Sequence, residues 1–276
     1  MRDHILGLDH IVIAVSDLAA SAERWRSLGF TVSPRGLHSD YLGTANHTIM
    51  LEDDYIELLG VLTPTPFNAP TRAFLDDGAG LERLAMRTDD AAAGLAALLR
   101  DGFAESSGPF EFRRPVDLDD GRTGEAGFRI FQWPLTPAPG GARVFACEHL
   151  TRDTVWLPSL VRHHNGARAL KRIEIVTADP AAEAALCGRL LALPAQASGG
   201  IHAVAMAPRG ADLLFLDAET FGARWGLTAD DAMPRCGVVM AVDDATSAEG
   251  FAERAAPGGL RWARVDGALL GWEAGG

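Results

Sequence analysis

No stretch of this 276-residue chain approaches the ~18 consecutive apolar residues that a membrane-crossing helix needs. Asp3, His4 and Asp9 interrupt the N-terminal region where a signal peptide would be apolar throughout. The expectation is a cytoplasmic protein with no membrane partner. Cysteine is scarce: Cys147, Cys187 and Cys236 are widely spaced and form no CxxC pair. That argues against a disulfide framework and a zinc ribbon and leaves three reduced, buried thiols. Basic side chains are few, 25 against 37 acidic ones, for a net charge of -12. This balance argues against a nucleic-acid partner, because phosphate binding needs clustered Lys and Arg. The short runs Arg162-His163-His164 and Arg168 to Arg172 read as solvated turns. There is no GxSxG and no glycine-rich phosphate loop. What the absences leave is a small-molecule substrate or ligand.

The chain is 47% hydrophobic, enough for a full core, and it exceeds the ~100–200 residues of one usual domain. Two packed units are expected. A strand, an acidic cap, a helix and a glycine recur along it. Residues 8 to 15 alternate as a strand, Asp17 can cap a helix whose apolar face is Leu18, Ala22, Trp25 and Leu28, and Gly29 ends it. The second copy starts at Leu81, with Asp89 or Asp90 as cap and Gly102 at the end. The third runs from Leu170 to a helix opened by Asp179-Pro180, and the fourth from Gly237 through Asp243-Asp244 to Phe251. Further strands are expected at 46–51, 55–62, 127–133, 143–149, 201–207, 212–217, 260–265 and 268–272. The division is residues 1–157, a linker at 158–167 carrying the turn-like His163-His164-Asn165-Gly166, and residues 168–276.

Two apolar strands carry charge. Leu8-Asp9-His10-Ile11-Val12 holds His10, and Tyr55-Ile56-Glu57-Leu58-Leu59 holds Glu57. A lone histidine on such a strand is ordinarily a satisfied core residue. Glu57 is harder to place, since an unpaired buried carboxylate costs several kcal/mol; a salt bridge to Arg83 or Arg87 is the structural alternative. Strand alternation puts His10 on the face of Leu8, Val12 and Ala14, and leaves Ile11, Ile13 and Val15 to pack under helices.

These strings, together with Gly43-Thr44-Ala45-Asn46, Phe145 to Trp156 and His164 to Ala167, resemble the vicinal oxygen chelate superfamily and, within it, the glyoxalase-like proteins. The resemblance implies an α+β fold in which paired β-α-β-β-β modules form a cup-shaped mixed sheet, here with a second, degenerate copy. It implies a divalent metal (Fe, Mn, Zn or Ni) facing the cup, with His10 and Glu57 as the ligands of the first module. The second module departs from the pattern. Its first strand offers Glu82 or Arg83 where a second histidine is expected, and its last strand offers Glu148 and His149 on opposite faces. With His149 inward the set is His10, Glu57 and His149; with Glu148 inward it is one histidine and two carboxylates, suited to harder ions. An inward Arg83 would oppose any metal and bind an anionic group directly.

Thr44, Asn46, His47 and Arg83 are the candidate substrate contacts, although short polar residues in a turn also satisfy local backbone. The function implied is a metal-dependent isomerase, lyase or dioxygenase acting on a small ligand with vicinal oxygens, with Glu57 or Glu148 as proton shuttle. The alternative is a metal-free binding or sequestration protein with the same cup. In the third and fourth units Arg172 takes the place of His10, and Leu214 or Phe215 that of Glu57, so that half reads as a structural or lid unit. A homodimer is expected by analogy with the superfamily.

Overall fold

The computed structural model describes residues 1–136 and 138–274. The first sheet is built from β1 (Ile5–Val15), β2 (Gly36–Leu37), β3 (Thr44–Met50), β4 (Tyr55–Val61), β5 (Gly80–Thr88), β6 (Ser107–Asp117), β7 (Thr123–Gln132) and β8 (Arg143–His149). Their spatial order is β2-β3-β4-β1-β5-β8-β7-β6. The central pair, β1 and β5, is antiparallel, and each runs parallel to the last strand that follows it in its own module, β4 or β8. The sheet curls until β2 and β6 approach one another, giving a nearly closed cup.

The helices of this half form for local reasons. The Asp17 carboxylate accepts from Ala20 N and opens α1 (Leu18–Ser27), and Asp90 accepts from Ala92 N and Ala93 N to open α3 (Ala91–Arg100). Gly29 and Gly102 follow with positive φ, as a helix exit requires. A third helix, α2 (Ala69–Asp76), joins the modules and was not expected from the sequence.

The second sheet repeats the plan with β9 (Ala167–Val176), β10 (Ala195–Ser198), β11 (Ile201–Val204), β12 (Asp212–Leu216), β13 (Cys236–Val242), β14 (Arg254–Ala255), β15 (Arg261–Val265) and β16 (Ala268–Ala274), in the order β10-β11-β12-β9-β13-β16-β15-β14. Asp179 caps α4 (Pro180–Leu191), as its sequence indicates. The fourth unit keeps only a 3₁₀ turn, Ala245–Ala248, in place of the expected helix. The helix α5 (Ala218–Trp225) joins the two modules of this half, between β12 and β13, as α2 does between β4 and β5.

One apolar cluster runs from the helix-covered face of the first sheet (Ile11, Ile13, Trp25) to that of the second (Ile173, Val238, Met240). The opposite faces differ. In the second sheet, Phe221 and Trp225 of α5 pack with Val239, Trp262 and Leu269, so an aromatic core occupies that face. In the first sheet the corresponding face remains open above Tyr55, Phe128 and Cys147.

Candidate functional site

Two β-bulges shape the open cup. In β1, Leu8 pairs with Met86 and His10 with Ala85, which makes Asp9 an extra residue. In β5, Arg83 pairs with Val12 and Leu81 with Ile13, which makes Glu82 the extra one. A bulge breaks alternation locally and re-aims side chains. Each module's first strand therefore presents an adjacent acid and base, Asp9-His10 in one and Glu82-Arg83 in the other. Leu8, expected on the face of His10, belongs instead to the core under the helices.

Asp9 is fully buried. Its Oδ1 lies 2.7 Å from His10 Nδ1 and 2.9 Å from His149 Nε2, and its Oδ2 lies 3.4 Å from Arg87 Nε. Burial alone would raise its pKa, but the charges and hydrogen bonds of His149 and His10 outweigh that and hold it well below the ordinary carboxylate range. An ionised carboxylate only accepts, so both imidazoles donate to it. The network thus places a hydrogen on Nδ1 of His10 and on Nε2 of His149. The Nδ1 of His149 is then buried with no partner.

That arrangement frees His10 Nε2 to act in the cup, where Glu57 Oε2 is 3.6 Å away and the Tyr55 hydroxyl 3.5 Å. The imidazole stacks on Tyr55 with ring centroids 4.1 Å apart. Burial would raise the Glu57 pKa, yet His10, His38, a 2.8 Å hydrogen bond from Asn46 Nδ2 and nearby Arg83 together lower it. An anionic Glu57 is placed to hold an imidazolium once Nε2 takes a proton. His38, whose pKa burial lowers, approaches Thr44 Oγ1 at 2.7 Å on the same wall.

The second acid–base pair is held differently. Glu82 Oε2 is 2.7 Å from Arg83 Nε, its other oxygen pairs with Arg143, and Thr71 on α2 accepts from both arginines. Arg83 keeps a face on the cavity, which has a volume of about 360 Å³ and is lined also by Thr44, Asn46, Tyr55, Arg114 and Phe145. Burial lowers the Arg83 pKa and Glu57 opposes that shift.

Three expectations need correction. His47 does not line the cup: it is in register with Leu58, whose side chain packs under the helices, and its Nδ1 lies 2.7 Å from Ser33 O. Glu148 also faces away. Its carboxylate accepts from Ala91 N at 3.0 Å and lies 3.5 Å from Arg129, where it complements the N-terminus of α3 rather than shuttling protons in the cup. His149 does turn to the cup side, against Phe128 and Trp156. It does not converge with His10 and Glu57, because Asp9 stands between the two imidazoles. Among the described residues, the set that brings three potential ligand atoms within 4.8 Å is Asp9, Cys147 and His149.

The donor chemistry at the family's ligand positions does not fit a divalent ion. Counting back from the capping residues Asp17 and Asp90 puts Arg83 at the position of His10 and Ala85 at that of Val12. The strand partner of Val12 is Glu57, and that of Ala85 is Phe145. A cation there would meet one imidazole, one carboxylate, a guanidinium and a phenyl ring, whereas catalytic sites of this kind use about three protein ligands. The Asp9, Cys147 and His149 set could hold a divalent ion, with 3.8 Å between Cys147 Sγ and His149 Nε2. Burial raises the Cys147 thiol well above its ordinary value, so an ion there would have to displace its proton.

Asp9, Tyr55, His38 and Arg114 are site residues that the sequence reading missed. Two adjacent polar residues inside an aliphatic strand, Asp9 and His10, are the visible sign of the bulge. Arg114 sits on β6, an exposed strand interrupted by Pro109 and Pro115 that alternation did not reveal.

A family model described as glyoxalase-like domain matches residues 8–191. The chain belongs to the glyoxalase-like domain family, and with it to the vicinal oxygen chelate superfamily. None of the curated proteins matches it. Among solved structures, a hypothetical protein from Staphylococcus aureus is similar over 97% of this chain and 98% of its own, at TM-score 0.72 and 12% identity. A mutant of 4-hydroxymandelate synthase from Streptomyces coelicolor is similar over 99% of this chain and 93% of its own, at TM-score 0.59 and 12% identity. Methylmalonyl-CoA epimerase from Mycobacterium tuberculosis matches 54% of this chain and 91% of its own, at TM-score 0.40 and 22% identity. At these identities the likeness concerns the fold alone.

Proposed function

We propose that the protein is a proton-transfer enzyme, an isomerase or lyase, that acts on a small ligand with vicinal oxygens in the first cup without a resident divalent ion. The observation that carries this reading is the pairing of Asp9 with His10 Nδ1 while Nε2 faces Glu57. His10 removes a proton from carbon, Asp9 fixes its tautomer, and Glu57 holds the resulting imidazolium. Arg83, at the place of the second-module histidine, supplies positive charge to the oxyanion that forms. The proton returns from Nε2 to the product carbon, or to the leaving group, which closes the cycle. Residues 1–157 are the catalytic unit in this reading, 158–167 the linker, and 168–276 a degenerate partner whose Glu174 is spent on Arg172, Arg224 and Trp225.

The test is loss of carbon-bound protons from pyruvate, hydroxyacetone and mandelate in D₂O, followed by proton NMR. Exchange with at least one probe, reduced about 100-fold or more in His10→Ala, supports the reading. Exchange unchanged in His10→Ala removes it.

A second reading, a metal-dependent enzyme, is favoured by the Asp9, Cys147 and His149 set. Elemental analysis of chelator-free protein decides between the two. Near-stoichiometric Fe, Mn, Zn or Ni that is lost in Asp9→Asn supports the metal; no metal bound and none taken up on addition supports the first reading.

A further inference from the structure

Two features of the cup go unused by proton transfer at His10. The first is Arg114 on β6. Its half-buried guanidinium lines the cavity, and it lies against Gly36, where a Cβ would come within 3.2 Å of its Cζ and 2.5 Å of Asn46 Oδ1. Other arginines of this sheet, within the cup or outside it, have a carboxylate: Arg83 and Arg143 share Glu82, and Arg113 and Arg129 share Glu111. Among the described residues Arg114 makes no such ion pair; Glu57 acts on it only through its charge, and burial lowers its pKa. A guanidinium removed from water without a counter-ion is costly unless something else supplies the negative charge.

The second feature is the rim. Tyr41, Phe67 and Phe110 line the mouth and are 71%, 38% and 49% exposed. Tyr41 and Phe67 stand with ring centroids 5.4 Å apart. Large exposed apolar side chains gathered at the mouth of a cavity are the usual mark of a binding surface.

We propose that the cup takes a carboxylate with an apolar tail, the carboxylate on Arg114 and the tail leaving between the rim aromatics. This rests on the cup being the ligand site and adds the class of ligand. The carboxylate supplies the missing counter-charge in a place where a planar guanidinium can meet it with two hydrogen bonds. The tail covers apolar surface that is otherwise wet. Gly36 leaves room for this, because a Cβ there would press on the guanidinium and on Asn46 Oδ1.

Calorimetric titration with octanoate, 1-octanol and octylamine tests the proposal on the wild type, Arg114→Gln, Phe110→Ser and His10→Ala. Octanoate binds wild type about tenfold or more tightly than octanol, as one charge-assisted contact predicts, and octylamine binds more weakly than either. Arg114→Gln removes the preference for octanoate and leaves octanol unchanged, while Phe110→Ser weakens both. Both substitutions lie on an exposed edge strand and spare the core. Equal binding of octanoate and octanol by wild type, or binding of none of the three, overturns the proposal. His10→Ala keeps Arg114 and the rim. Octanoate binding retained in that variant, beside a failed proton-exchange assay, would uphold the ligand class while removing the chemistry.

Discussion

Asp54 joins the two halves, and replacing it by asparagine has a pH dependence that can be worked out in advance. It lies in the β3–β4 turn, is 5% exposed, and both its oxygens accept from Leu170 N of the second sheet at 3.1 and 3.2 Å. Burial pushes its pKa up from 3.8 to about 7, against the lowering effect of the Leu170 bond and Arg87. A carboxyl raised in the folded state adds stability that is fully present below its unfolded pKa and is lost as pH rises through the folded one. The window is therefore about pH 4 to 7, and stability falls as pH rises across it. With each unit worth about 1.4 kcal/mol, the loss between pH 5 and pH 8.5 is on the order of 3 kcal/mol. The amide that replaces the carboxyl in Asp54→Asn can still accept from Leu170 N and does not titrate. Urea unfolding of both proteins at the two pH values measures the effect. The stability of wild type relative to Asp54→Asn should drop by about 3 kcal/mol between pH 5 and pH 8.5. A difference that stays constant within about 0.5 kcal/mol would refute the argument that this carboxyl is held protonated at the junction.

Asp9→Asn takes the counter-charge from His10, His149 and Arg87 and is expected to cost about 3–5 kcal/mol, the range for breaking a buried pair from one side; calorimetric melting at pH 7 reads it, and a loss below 1 kcal/mol would speak against an ionised Asp9. Glu57→Gln keeps the Asn46 contact and removes the charge beside His10, so ligand binding should persist while proton exchange falls about 100-fold, as the NMR assay would show. Trp225→Ala empties the aromatic core of the second sheet and should destabilise by about 3–5 kcal/mol without altering octanoate affinity. Asp17→Ala, which removes only the α1 cap, should cost about 1 kcal/mol by urea unfolding.

The fold was largely legible in the chain because its cues are local. Apolar alternation in residues 8 to 15, the caps Asp17, Asp90 and Asp179, and the glycines after α1 and α3 each act within a few residues of themselves. The repeat of that pattern implied paired modules. What was missed is equally physical: β6 is exposed and carries Pro109 and Pro115, so its alternation marks no core, and α2 and α5 lack a carboxylate cap in one case and a wide apolar stripe in the other. The same gap hid Arg114.

For the site, alternation gave the face of His10, the family resemblance singled out His10, Glu57 and either Glu82 or Arg83, and Thr44 and Asn46 were read as residues of a turn. The sequence by itself put an imidazole and a carboxylate on two apolar strands, which the family resemblance brings to one cup, and left Glu82 or Arg83 where that resemblance expects a second histidine. Only the tertiary structure decided that Asp9 joins His10 on the concave side, that Glu148 and His47 turn away, and that α5 packs Phe221 and Trp225 against the concave face of the second sheet. A bulge shifts a strand by one residue relative to its partner, and that register is set by pairing across the sheet, which no local pattern records.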